Sequence, residues 1–214
     1  MQRWAAEDGA LWALETENGL PPPCAAQVDV AFAEVGDDEI EALAAAMDLA
    51  SAEPVRQRLS GPAPGKRRCF TLRVSGEIAA YGWVTQGVEV VGELERRFNL
   101  HEREAYIWDC RTLPAWRRKG LYSALLSQII VRLHEEDTPR IWIGASQHNR
   151  PSIRGFANAG FEPVIELAYR RLYRLTLMWI TEAERAPAPQ VAAAYRILIN
   201  EHERRVGRLV VGIL

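Results

Sequence analysis

At 214 residues the chain has room for one sizeable domain and little more. Its 48% hydrophobic and 25% charged residues are those of an ordinary globular protein, and a formal net charge of −2 leaves no global basic field for nucleic acid or an anionic membrane. Three cysteines (Cys24, Cys69, Cys110), with no CxxC and no histidine cluster, argue against a disulfide framework and against a metal site. The N-terminus lacks the apolar core of a secretion signal, and no run reaches the roughly 18 apolar residues of a membrane span. A cytoplasmic protein is the expectation.

Residues 1–26 read as an arm. Leu11 to Glu17 has strand character, Pro21-Pro22-Pro23 stops it, and Trp4 and Trp12 imply that it docks. Residues 27–182 read as the main domain. Val28 to Val35 alternates as a first strand, and Gly36-Asp37-Asp38 opens a helix through Ile40, Leu43 and Met47. A helical piece at 55–59 ends in the loop Gly61-Pro62-Ala63-Pro64-Gly65. Cys69 to Val74 and Ile78 to Val84 form a hairpin, while 88–98 is ambiguous. Ala105 to Leu113 is a central strand. Gly120 to Glu135 is an amphipathic helix, Ile141 to Ala145 a buried strand, and Pro151 to Ala159 a second amphipathic helix closed by Gly160. Strands follow at 162–173 and 175–180. Residues 183–214 read as a linker, a helix over 191–208 and an apolar end over 209–214. This exposed apolar terminus motivates a homodimer contact. The element order indicates an α/β (mixed α+β) fold, a mixed sheet with helices on its faces.

The segment from Leu113 to Tyr122 carries the chemistry. It joins a strand to a helix whose first backbone N–H groups lack helical partners and lie at the positive end of the dipole. Such a nest suits a pyrophosphate. Gly120 allows close backbone approach, and Arg117, Arg118 and Lys119 add positive charge. A basic solvated helix start is the plain alternative, and the GxxxxGK[ST] spacing of a P-loop is absent. Asn149 opens the segment Asn149-Arg150-Pro151-Ser152 to Gly160-Phe161 as a helix N-cap.

The order strand, Arg117-Arg118-Lys119-Gly120-Leu121-Tyr122, helix, strand, Asn149-Arg150-Pro151-Ser152, helix, Gly160-Phe161 resembles the GNAT N-acetyltransferase superfamily. The run Asp109-Cys110-Arg111-Thr112-Leu113-Pro114 resembles a bacterial subgroup of it. The match spans about residues 28–175 and is densest over 105–161. It implies a splayed, mostly antiparallel sheet of about seven strands, with acetyl-CoA or another acyl-CoA as co-substrate in the V between the central strand and 141–145. Backbone amides of Arg118, Lys119, Gly120, Leu121 and Tyr122 would hold the pyrophosphate. Groups around Cys110, Thr112 and Leu113 would pair with the pantetheine, and an N–H near Thr112 or Leu113 would polarise the thioester carbonyl. Asn149, Ser152 and Phe156 would line the pantetheine arm.

The chain departs from this pattern at three positions. Tyr122 stands where the motif has a small residue. Phe156 stands where a tyrosine usually protonates the leaving thiolate. The glutamate of histone-type members is replaced by Tyr106. Tyr106 and Asp109 are then the catalytic candidates, with Glu104 and His148 nearby. Strand alternation puts Tyr106, Trp108 and Cys110 on one face and Asp109 on the other, unless a bulge intervenes. A structural ion pair with an arginine is the other reading of Asp109. Trp83, Trp108, Tyr169 and Trp179 are candidates for an aromatic acceptor pocket or for core, and Arg56, Arg58, Arg67 and Arg68 for carboxylate recognition or a solvated face. The expected acceptor is a small-molecule amine. A non-catalytic acyl-CoA-binding module and a long-acyl or aminoacyl transferase are the rivals.

Overall fold

The computed structural model describes residues 4–61, 65–92, 96–173 and 175–213. Twelve strands and five α-helices follow in the order β1 (Trp4–Glu15), β2 (Ala31–Glu34), α1 (Ile40–Ala46), α2 (Glu53–Ser60), β3 (Lys66–Val74), β4 (Glu77–Gln86), β5 (Val88–Val91), β6 (Arg96–Asn99), β7 (Glu104–Thr112), α3 (Leu121–Glu135), β8 (Arg140–Ser146), α4 (Arg150–Asn158), β9 (Glu162–Leu172), β10 (Leu175–Glu182), α5 (Ala188–Leu198), β11 (Arg204–Val206) and β12 (Leu209–Ile213). Ten strands form one sheet in the order β11-β12-β10-β9-β1-β8-β7-β4-β3-β2, and β5 and β6 form a separate hairpin. Among the described residues only β7 and β8 pair in parallel. The sheet is therefore mixed and mostly antiparallel, as expected, but wider than seven strands.

The extra width comes from the two ends of the chain. The stretch read as an arm supplies β1, which sits inside the sheet between β8 and β9. It buries Leu11 and Ala13 on one side of the sheet and Leu14 on the other, so it is core rather than appendage. At the other end, the helix expected over 191–208 stops at Leu198. Arg96 takes the Leu198 carbonyl at 2.8 Å, and Glu203 accepts the Asn200 N–H at 2.9 Å. The freed chain turns back as β11 and β12. The apolar end that motivated a dimer contact is thus largely strand β12, paired with β10 and burying Val210.

Helices cover both faces. α3 and α4 pack on the side where Phe70, Leu72, Val84, Ile107 and Ile143 point. α1 and α2 cover the other side of β3 and β4 around Cys69, Tyr81 and Trp83. α5 covers the same side further along, over Tyr106, Trp142 and Ile165. The ambiguous 88–98 stretch crosses this second face as the β5–β6 hairpin and buries Phe98 against Tyr106, ring centroids 5.3 Å apart.

Candidate functional site: a cleft where the sheet splays

β7 and β8 run side by side from Glu104/Arg140 to Ile107/Ile143, and there the pairing stops. β8 stays with β1 and β7 stays with β4, so the two strands part and leave a V. The parting coincides with a bulge. Opposite Gly82 of β4, strand β7 carries two residues, Asp109 and Cys110, and Asp109 takes the left-handed φ of 43°. The bulge changes the alternation read from the sequence. Trp108 and Asp109 face α2, whereas Cys110 turns toward α3, its Sγ beside Gly82. Burial, helped by the Asp109 charge, pushes the Cys110 thiol well up. That environment holds it as a neutral thiol and argues against a nucleophile.

One arm of the V ends at the α3 N-terminus. Arg118 (φ 64°) and Gly120 (φ 73°) are both left-handed, and the first helical bond is Ala124 N–H to the Gly120 carbonyl at 3.1 Å. The N–H groups of Leu121, Tyr122 and Ser123 precede it and face outward. The nest is braced from behind: Gln27 N–H donates to the Lys119 carbonyl at 2.9 Å, and a Cβ at Gly120 would stand 3.2 Å from the Ala25 carbonyl oxygen. The nest opens into a cavity of about 530 Å³ lined by Cys110, Thr112, Arg117, Arg118, Tyr122 and Ser152 among others. Lys119 instead lies over the Trp116 ring, 4.5 Å from its centroid. The Leu113 N–H donates to the Ala79 carbonyl at 2.9 Å and is not available as an oxyanion donor. Alternation along the ladder turns the Thr112 N–H the other way, toward the V.

The other arm is a cleft of about 620 Å³ lined by Tyr106, Trp108, Asp109, Gly144, Asn149 and Phe156, together with Glu7, Arg58 and Glu89. Cys110, Tyr122 and Ser152 line both arms, so the two form one passage. Tyr122 is the waist. Its ring stacks on Phe156 at 6.4 Å, and its hydroxyl hydrogen-bonds Ser152. Room for that ring comes from Gly155, where a Cβ would stand 2.4 Å from the Tyr122 ring. The aromatic residue in the motif's small position is thus folded down between α3 and α4, and the passage stays open. Burial raises the Tyr122 phenol well above its usual value, so it stays protonated. Phe156 is buried against Trp12, Tyr122 and Phe161 and offers no proton. Asn149 caps α4, accepting the Ser152 N–H at 3.3 Å.

The catalytic candidates separate in space. Asp109 makes an ion pair with Arg58 at the cleft wall, both about one third exposed. Tyr106 reaches the cleft floor beside Gly144. Glu104 lies five residues before Asp109, roughly 16 Å along the strand, held by Arg140 and Arg196. His148 is exposed in the loop after β8. Of the proposed aromatics, Trp108 lines the cleft and Trp83 is buried beneath it, 5.5 Å between ring centroids. Tyr169 is buried under Arg96, and Trp179 is exposed on the outer hairpin. Sequence reading missed Glu7, which lines the cleft from β1, and Glu89, 2% exposed and paired with Arg67. Nothing in the sequence marked either one, because each depends on its strand being brought to the V. Among the described residues no cluster of His, Cys, Asp and Glu is placed to hold a metal ion.

A splayed mixed sheet, with a left-handed turn and exposed arginines at one end of the V and carboxylates lining the other, sets the class of fold. The particular family follows from the sequence. Residues 37–161, more than half of the chain, match the profile of the acetyltransferase (GNAT) family, and the chain belongs to that family. No curated protein is significantly similar to it in sequence. Among solved structures, a GCN5-related N-acetyltransferase from Sphaerobacter thermophilus superposes with a TM-score of 0.56 at 12% identity, over 86% of this chain and 54% of that one. One from Kribbella flavida gives 0.52 at 21% identity, over 78% and 58%. At these identities the likeness is one of fold, and the chain spans little more than half the length of either protein. The nest, the waist and the bulge fit an acyl-CoA: unpaired amides and arginines for its phosphates, an open passage for its arm, and the Thr112 N–H at the V.

Proposed function

We propose that this chain transfers an acetyl or short acyl group from acyl-CoA to the amine of a small-molecule acceptor. The observation that carries this reading is the continuous passage from the Gly120 nest, past Tyr122, to the bulge at Asp109. Arg117, Arg118 and the N–H groups after Gly120 hold the phosphates, and a bound acyl-CoA supplies the activated thioester. The Thr112 N–H stabilises negative charge on the carbonyl oxygen. Asp109, or Glu7 from the facing strand, takes a proton from the attacking amine. The new N–C bond forms as the C–S bond breaks. The thiolate leaves with a hydroxyl of the waist, Tyr122 or Ser152, beside its path in place of the tyrosine that Phe156 replaces.

Phe156 is also the observation behind a second reading, a non-catalytic acyl-CoA-binding module. No helix among the described residues is long and apolar enough to cross a membrane, and we place the chain in the cytoplasm. Exposed Leu175, Trp179 and Val206 on the outer strands are the surface on which a homodimer would form, and light scattering decides that point. The central test is thermal stability with and without excess acetyl-CoA. At 100 times its dissociation constant the ligand adds about 2.7 kcal/mol to the native state. Charge reversal of the exposed Arg117 and Arg118 should abolish that gain and leave the apo protein folded. A folded wild type that no acyl-CoA stabilises would sink the reading, while stabilisation without release of free thiol to any amine would favour the binding module.

A further inference from the structure

The acceptor cleft contains a cation that the transfer reading leaves unused. Of the four arginines between positions 56 and 68, two are occupied away from the cleft, and a third, Arg67, lies over Trp108 at its wall with its charge taken up by Glu89. Arg56 pairs with Glu41, Arg67 with the buried Glu89, and Arg68 with Glu34 and Glu136. Arg58 differs. It comes from α2, and its guanidinium carbon lies 5.1 Å from the Trp83 ring centroid and 5.3 Å from that of Trp108. One terminal nitrogen donates to Asp109, its one side-chain hydrogen-bond partner among the described residues. A guanidinium carries five N–H donors in a fixed fork. Two indole faces and one carboxylate therefore position this fork, and donors remain to face a cleft of about 620 Å³.

We propose that Arg58 is the docking point for a carboxylate of the acceptor, so that the acceptor is an aminocarboxylate of the amino-acid type. This rests on the acyl-transfer reading and narrows it. The wall presents Arg58 and Asp109 side by side, opposite charges in direct contact. An α- or β-amino acid presents the complementary pair, its carboxylate and ammonium one or two carbons apart. The carboxylate takes the open edge of the Arg58 fork, and the amine then lies at Asp109, the group suited to deprotonate it. The surrounding charge selects the same chemistry. Glu7, Glu89 and Asp109 line the cleft against Arg58, with Arg67 committed to Glu89. A phosphate dianion is disfavoured where the two cations, Arg58 and Arg67, are already balanced by Asp109 and Glu89 and Glu7 adds a further negative charge, whereas the ammonium of a zwitterion is favoured.

The test uses the full chain, a panel of amino acids and the matching carboxamides. Calorimetry with the CoA-bound protein measures binding, and thiol release from acetyl-CoA measures turnover. The wild type should prefer an acid over its amide by about tenfold or more, as a charged hydrogen bond of 1.5–3 kcal/mol requires. Arg58→Gln should bring that ratio to near one by raising KM for the acid, and Arg58→Lys should restore part of it. No binding of any amino acid by the CoA-bound wild type would overturn the proposal. So would a ratio near one in the wild type, or an Arg58→Gln effect that falls equally on acid and amide. Failure of acetyl-CoA itself to bind would instead remove the transfer reading beneath it.

Discussion

The two arms of the V are built in opposite ways. The nest arm comes from one continuous stretch, 110–123, with a wall from the start of α4, and the groups that we propose hold the phosphates are mainly backbone N–H. The acceptor arm gathers Glu7 from β1, Arg58 from α2, Glu89 from β5, Asp109 from β7 and Gly144 from β8. Apart from Gly144 its groups are charged side chains, with Arg58 paired to Asp109 and Glu89 to Arg67. A phosphate can be held by backbone dipoles at a helix start, which local sequence can encode. Selecting one amine among many needs side chains converging from several directions, which only a fold provides.

The comparison is broken most forcefully at Gly120. A β-branched residue there, Gly120→Val, meets both a left-handed φ and the Ala25 carbonyl. It should lose acetyl-CoA binding by at least about 100-fold and cost about 1–2 kcal/mol of apo stability. Calorimetric titration and a denaturant melt check both numbers, and retained binding would mean that the nest is not the anchor. At the acceptor arm, Asp109→Asn removes a proton acceptor without changing shape. A fall in kcat of about 100-fold with acetyl-CoA affinity intact is expected for a general base. An unchanged kcat would pass the role to Glu7, to be read from Glu7→Gln.

The waist sharpens the comparison, because it belongs to both arms. Gly155→Ala puts a methyl into the Tyr122 ring and should cost about 1–3 kcal/mol. Tyr122→Ala in the same chain should recover much of that loss, since the ring is the obstacle. A double-mutant cycle with no coupling would show that the two helices adjust independently. The smallest effect lies outside both arms. Burial alone would raise the Glu104 carboxyl, but bonds from Arg196 and the His101 N–H, with Arg140 alongside, hold it below the usual carboxylate range. Its stabilising contribution is present above the unfolded-state value, about 4.3. It is lost as the pH falls through the lower folded value. Wild type and Glu104→Gln should therefore differ in melting temperature at pH 7 and converge as the pH falls through that lower folded value, with little change in acetyl-CoA affinity at either arm.

Sequence alone determined the half of this protein whose physics is local. The periodicity of α3 and α4, the β-rich central strand and the Arg-Arg-Lys-Gly helix start each depend on neighbours a few residues away. The family resemblance rested on those same segments. Tertiary structure decided the rest. Trp4–Glu15 reads as an arm because nothing near it in sequence shows that β8 and β9 will flank it. The last helix ends at Leu198 because Arg96, a hundred residues earlier, captures its carbonyl. Asp109 faces α2 because the chain bulges opposite Gly82, which strand alternation cannot foresee. Arg58 stands out from three similar arginines only because two tryptophans and an aspartate converge on it. In each case the deciding contact joins residues far apart along the chain, and such a contact leaves no mark on either segment read by itself.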